Sequence, residues 1–149
     1  MRGRKWKCTF PVPYNFSSSP MEKIYDGKML IGLHIGRDVP AVSIPHTAPE
    51  ESLGLLTLKY PQGTHLKGHK HLPKERVTQS LQECFVIRKG TVRISIFGMQ
   101  NQLLTTLTLQ AGEAFIALRG GHAFDFLEDG EIIELKNGPY SDDKEYFEK

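Results

Sequence analysis

Cysteine is scarce in this chain, which has only Cys8 and Cys84 among its 149 residues. A bond between them would tie the irregular start of the chain to a predicted strand, so we expect two reduced thiols. A core of this length can fold without a disulfide or a structural metal to hold it together. A bound metal would therefore serve the function of the protein rather than its architecture.

An excess of charge of one sign is also missing, since 19 lysines and arginines face 17 aspartates and glutamates. The net charge of +2 is far from the concentrated positive field that nucleic-acid binding usually requires. Apolar runs such as Met29–Ile35 fall well short of the ~20 residues needed to cross a bilayer. The segment from Cys8 to Pro20 contains three prolines and no continuous apolar region, unlike a secretory signal. These absences predict a soluble, cytoplasmic protein that binds neither nucleic acid nor membrane.

The motifs of several large enzyme classes are absent as well. The chain contains no G-x-x-x-x-G-K-[ST] loop, no G-x-G-x-x-G, no H-E-x-x-H and no G-x-S-x-G. Nucleotide triphosphate hydrolysis, dinucleotide redox chemistry, zinc-dependent proteolysis of that type and α/β-hydrolase chemistry therefore have no support in the sequence.

Short runs of β-type residues separated by turn residues dominate the chain from Met29 onward. No window sustains the apolar spacing of a long helix, whereas glycine turns recur at the spacing of hairpins. The eight predicted strands are Met29–Ile35, Leu53–Tyr60, Leu81–Arg88, Thr91–Phe97, Leu103–Leu109, Ala114–Leu118, Ala123–Leu127 and Glu131–Lys136. We predict an all-β fold, with a jelly-roll barrel or sandwich protecting the sheet edges. Prolines and serines in residues 1–20 interrupt both the helical and the strand periodicity. We therefore expect this segment to form an irregular arm before a single domain at 21–149.

Three of the six histidines cluster as His65-Leu-Lys-Gly-His69-Lys-His71. Residues two apart on an extended segment share a face, so the side chains of His69 and His71 would project toward one point. Neutral imidazoles are good ligands for zinc, copper, iron and nickel. The pair therefore indicates a candidate transition-metal site.

The surroundings of this pair resemble the cupin superfamily. The first cupin motif, G-x5-H-x-H-x3-4-E-x6-G, is matched in residue type by Gly63, His69, His71, Glu83 and Gly90. The second motif, G-x5-P-x-G-x2-H-x3-N, is matched by Gly112, Gly120 and His122, whereas Leu118 and Phe126 replace its proline and asparagine. The resemblance implies a jelly-roll barrel of the cupin type.

The resemblance also implies a ligand set for one divalent transition metal ion, iron, manganese, nickel or zinc. Its members would be His69, His71, Glu83 and His122. Glu75 is a rival to Glu83, because Glu75 lies at the short family distance from His71. We prefer Glu83, since it precedes Gly90 by six residues within a predicted strand, whereas Glu75 follows a proline in a predicted loop. Eleven residues separate His71 from Glu83 where the family motif has three or four, and this longer segment would then form a flap at the mouth of the barrel.

The aromatic residues Phe85, Phe124 and Phe126 would line the pocket, because they alternate with Glu83 and His122 along their strands. The stretch from Glu131 to Lys144 resembles the C-terminal end of small bacterial cupins of the WbuC-like type, which occur among surface-polysaccharide biosynthesis functions. Glu134 and Lys136 share one face of the last predicted strand, where they could form a solvent-facing charge pair. If that face is internal, Glu134 is a partner of a metal ligand or a candidate general base, with Lys136 as its counter-charge.

Three functions are compatible with these residues. The first is a metal-dependent enzyme of isomerase or dioxygenase type, acting on a small sugar-derived or oxygenated acid. The second is a non-catalytic module that binds or senses a sugar or metal. The third is a metal-free sugar-nucleotide isomerase or epimerase, with His69 or His71 as base and Tyr140 as acid. A homodimer is expected in each case, because sheet edges and apolar strands need cover.

Overall fold

The computed structural model describes residues 20–40 and 42–147, so all but Pro20 of the expected N-terminal arm lies outside the described residues. The described residues form ten β-strands and no helix. The strands are β1 (Met21–Asp26), β2 (Met29–Ile35), β3 (Ile44–Pro45), β4 (Leu56–Thr57), β5 (Glu83–Lys89), β6 (Thr91–Phe97), β7 (Leu103–Gln110), β8 (Ala114–Ala117), β9 (Gly121–Phe126) and β10 (Glu131–Lys136). The all-β prediction is confirmed.

The strands form two main antiparallel sheets and one short ribbon. The first sheet has the order β1-β2-β8-β5-β10, and the second has the order β7-β6-β9. The ribbon joins β3 to β4. Every strand pair is antiparallel, as expected where short turns connect strands that have polar and apolar residues in alternation.

The main core lies between the two large sheets. From the three-stranded sheet, Val92, Ile94 and Ile96 are 0% exposed, because alternate residues of β6 point to the same face. Residues Phe85 and Ile87 of β5 and others of the five-stranded sheet belong to the same buried cluster. The two sheets therefore pack face to face as a sandwich.

A second, smaller core covers the outer face of the five-stranded sheet. Leu33, Ile116 and Leu118 are buried there, and Leu53 and Leu55 from the segment before β4 pack against them. This layer explains why the central strands β2 and β8 are apolar on both faces.

Apart from shifts of one or two residues at strand ends, the sequence prediction of strands differs from the structure in three places. Strands β1 and β3 were not predicted, and the predicted strand Leu53–Tyr60 is reduced to β4. Side chains take the place of a regular backbone ladder around β4: Leu55 N donates to Thr47 Oγ1 (2.8 Å) and Lys59 N donates to Ser43 Oγ (3.0 Å).

Among the described residues, no helix is long and apolar enough to span a membrane.

Candidate functional site

Four ionisable residues meet at one end of the sandwich, and we call them the interior cluster: Glu83, His122, Glu134 and Lys136. In the register of β5 with β10, Lys136 lies opposite Glu83 and Glu134 lies opposite Phe85. Residues opposite each other in an antiparallel pair share a face, so these side chains project on the side where Phe85 enters the main core. His122 reaches the cluster from β9 in the other sheet.

The distances within the interior cluster are those of direct contact. His122 Nε2 lies 3.4 Å from Glu83 Oε2, and Lys136 Nζ lies 3.5 Å from Glu83 Oε1. Lys136 Nζ also lies 2.5 Å from Glu134 Oε1. The side chains of Glu83 and His122 are 12% and 24% exposed, against 41% for Glu134. Glu134 is therefore the carboxyl group that a small molecule arriving from solvent would meet first.

Aromatic rings form the base of the interior cluster. The ring of Phe85 lies 4.8 Å from that of His122 and 4.8 Å from that of Phe124, between ring centroids. The rings of His122 and Phe124 are 5.5 Å apart. Phe126 is 55% exposed at the end of β9. The apolar base lowers the local dielectric, which makes the charges of the cluster interact more strongly.

The two glutamates have pKa values shifted in opposite directions. Burial raises the pKa of Glu83, and the hydrogen bond that its carboxyl group shares with Glu134 raises it further. The hydrogen bond from Lys136 lowers the pKa of Glu134. Glu83 is thus the more readily protonated group and Glu134 the more readily ionised one, which is how carboxyl pairs divide the roles of acid and base.

The surroundings of His122 favour the neutral form of its imidazole. Burial lowers the pKa of this imidazole, and the positive charges of Lys144 and Lys136 lower it further, against the opposing effect of Glu134. The 3.4 Å contact between His122 and Glu83 therefore joins two groups that both resist ionisation. A neutral imidazole is the form that binds a metal ion or accepts a proton.

The loop histidines lie in the long segment between β4 and β5. No strand is present between Leu58 and Gln82, and His69 and His71 are exposed there. Their ring centroids are 5.2 Å apart, so the two imidazoles are adjacent to each other. Glu75 is exposed in the same loop, and Tyr140 is 74% exposed after β10.

The predicted metal ligands fit a divalent ion in residue type, and they form two adjacent pairs. Glu83 lies beside His122, and the ring of His69 lies beside that of His71. Carboxylate oxygens and imidazole nitrogens are both ligands for such an ion. Across the described ranges, no group of three or more histidine, cysteine, aspartate or glutamate side chains is arranged to hold an ion. A four-ligand centre therefore requires the loop pair to approach the interior pair.

A polar network that the sequence analysis did not identify fixes the start of β5. Gln82 is 2% exposed, and its side chain accepts from Leu53 N (2.7 Å) and donates to Glu51 Oε2 (2.5 Å). Arg119 Nη2 contacts Glu51 Oε1 at 2.9 Å. No periodicity marks Gln82 as buried, because its partners come from loops distant in sequence. The network holds the backbone immediately before Glu83 and so positions that carboxyl group.

Comparison of the chain with protein-family models, with curated proteins and with solved structures gave no match. The functional interpretation therefore depends on the geometry of the interior cluster and on the chemistry of the loop histidines.

Proposed function

We propose that this protein is a metal-dependent enzyme of the cupin superfamily, acting on a small sugar-derived or oxygenated acid. The proposed ligands of one divalent transition metal ion are His69, His71, Glu83 and His122. The observation that carries the proposal is the 3.4 Å contact of His122 Nε2 with Glu83 Oε2, which joins strands of different sheets.

The donor chemistry and the sheet arrangement support this proposal. A carboxylate with neutral imidazoles suits iron(II), manganese, nickel or zinc, and burial favours the neutral form of His122 by lowering its pKa. Two packed antiparallel sheets with a polar cluster at one end are compatible with a jelly-roll barrel that has its site inside. The exposed loop that carries His69 and His71 would act as the flap expected over such a site.

The residues of the chain have separate roles in the proposed reaction. The ion, when bound, would polarise a carbonyl or stabilise an enediolate of the substrate. Glu134 accepts the substrate proton at a carboxylate oxygen, and Lys136 keeps that carboxylate ionised. Phe85 and Phe124 exclude water beneath the reacting group, which strengthens every electrostatic contact there.

A metal-free isomerase or epimerase is the second candidate. The opposite pKa shifts of Glu83 and Glu134 favour it, because they already provide an acid and a base side by side. In this alternative the loop histidines or Tyr140 could complete the proton transfer once a substrate is bound.

Metal analysis of purified variants tests the proposal. We expect the parent protein and Glu75→Ala to retain one ion per chain, whereas His71→Ala, Glu83→Ala and His122→Ala should lose it while remaining folded. Glu75 is the matched control, since it is a glutamate at the rival family position. Loss of the ion in Glu75→Ala with retention in Glu83→Ala would assign the ligand to Glu75. Equal metal content in all variants would contradict the metal site.

A further inference from the structure

The chain leaves the five-stranded sheet through a firmly held residue, Asn137. Its Oδ1 atom accepts from Gln82 N (2.7 Å), and its Nδ2 atom donates to Ser80 O (3.1 Å) and Thr78 Oγ1 (3.4 Å). Asn137 N also donates to Gln82 O at 3.3 Å. The start of the C-terminal segment is therefore fixed beside the interior cluster, one residue after Lys136.

The same segment is attached to the other sheet at its far end. The ring of Phe147 packs edge-on against that of Phe97 in β6, with 5.0 Å between centroids. Gly121 makes room for it, since a Cβ atom at Gly121 would lie 2.7 Å from Phe147 Cζ. Gly121 and Phe97 are opposite each other in the register of β9 with β6, and Gly121 immediately precedes His122.

The segment between these anchors, residues 138–147, we call the C-terminal strap. One anchor belongs to the five-stranded sheet and the other to the three-stranded sheet, and each adjoins a residue of the interior cluster. The strap therefore crosses from sheet to sheet at the end of the sandwich where Glu83 and His122 meet.

Lys144 is the cation that the strap brings to this end. It lies three residues before the Phe147 anchor, which holds this part of the strap against the three-stranded sheet. In keeping with that position, its positive charge lowers the pKa of both His122 and Glu134, which lie on different sheets. Lys136, by contrast, is already engaged by Glu134 and Glu83. In the part of the chain that the structure describes, Lys144 is exposed and has no ion pair. Its charge is thus available to a ligand.

We propose that the strap covers the interior cluster and that Lys144 selects a ligand bearing a carboxylate, by pairing its Nζ atom with that group. The proposal rests on the proposed function only in taking the interior cluster as the ligand site, and it does not depend on the metal. An acidic ligand entering beside Glu83 and Glu134 meets two carboxyl groups. Because Lys136 is already paired with these two groups, a second cation is needed to offset their repulsion of the ligand carboxylate. Lys144 is placed to supply that positive charge.

A pair of probes that differ in charge tests this inference. Glucuronate carries the carboxylate and glucose is its uncharged counterpart, and binding is followed by the ring NMR signals of His122 in the full chain. We expect glucuronate, and not glucose, to shift these signals. Lys144→Gln should bind glucuronate about two- to fivefold more weakly, the effect of one solvent-accessible ion pair. Lys28→Gln, which removes an exposed lysine from the β1–β2 turn, is the matched control and should bind as the parent does.

A second variant tests the position of the strap separately from the charge of Lys144. Phe147→Ala removes the far anchor but keeps Lys144, so it should weaken glucuronate binding while leaving the core strands folded. Unchanged affinity in either Lys144→Gln or Phe147→Ala, or equal shifts with glucose and glucuronate, would overturn the inference. Absence of any shift with glucuronate would overturn it too. The metal proposal is tested independently, because the metal content of the same samples is measured in the absence of sugar.

Discussion

Replacing His34 by leucine should make the protein more stable. His34 lies on β2 between Glu22 and Phe115 of the neighbouring strands and is 2% exposed. Neither of its ring nitrogens has a hydrogen-bond partner among the described residues, and Glu113 Oε1 is 3.7 Å from Nε2, beyond hydrogen-bond distance. The ring is therefore a buried polar group without a hydrogen bond to any described residue, and the Glu113 carboxylate is its nearest charged neighbour.

The size of the expected stabilisation follows from the free-energy cost of burying a polar group without a hydrogen bond. A buried polar group without a partner costs about 1–3 kcal/mol, and leucine is similar in size to histidine but has no polar atom. The free energy of unfolding of His34→Leu should therefore rise by about 1–3 kcal/mol. For a chain of this length each kcal/mol corresponds to a rise in Tm of about 2–4 °C. Denaturant titration and thermal unfolding measure both quantities.

His46 is the matched control for this experiment. Its Nε2 atom lies 2.7 Å from Thr57 Oγ1, so this partly buried histidine has the partner that His34 lacks. His46→Leu should lower stability by about 0.5–1.5 kcal/mol, opposite in sign to His34→Leu. A loss of stability in His34→Leu similar to that in His46→Leu would refute the reasoning, because it would show that the ring of His34 is satisfied.

Three further predictions concern the core, a turn and the partly buried thiol of Cys84. Ile94→Ala should cost about 2–5 kcal/mol of unfolding free energy by denaturant titration, whereas Ile133→Ala, at a site 44% exposed, should cost far less; equal losses would contradict the assigned core. Gly120→Ala should cost at least about 1–2 kcal/mol in the same assay, because Gly120 has φ 71° and a Cβ there would meet the Phe97 carbonyl oxygen; parent-like stability would exclude that turn geometry. Burial raises the pKa of the Cys84 thiol, so in a Cys8→Ser background iodoacetamide should modify it slowly at neutral pH, faster as the pH rises and rapidly after unfolding; rapid modification of the folded protein would contradict that burial.

The strands that the sequence predicted best have a clear apolar alternation. Thr91–Phe97 and Glu131–Lys136 are bounded by glycine turns, and both match the observed strands end to end. Strand β1 was missed because Met21–Asp26 has three charged residues among six and buries only Ile24 fully. Its place in the sheet depends on pairing with β2, which a local pattern does not encode.

Only part of the candidate site could be predicted from the sequence, because the rest depends on contacts between residues distant along the chain. Glu83 and His122 lie on strands whose neighbours Phe85 and Phe124 indicated an inward face, and the structure brings the two side chains into contact. Lys144 follows no periodic strand, and it approaches the site through anchors at Asn137 and Phe147. Such long-range attachments arise from tertiary packing, so spacing along the chain gave no sign of them.

The most direct test of the metal centre is a crystal structure of the metal-loaded protein, with diffraction data collected at the absorption edge of the bound metal. We expect one anomalous peak at the end of the sandwich, within coordination distance of Glu83 and His122, with His69 and His71 completing the site. Such a peak would also identify the element. An anomalous peak bound by other residues, or no peak beside a Glu83–His122 pair that remains in contact, would contradict the proposed metal centre.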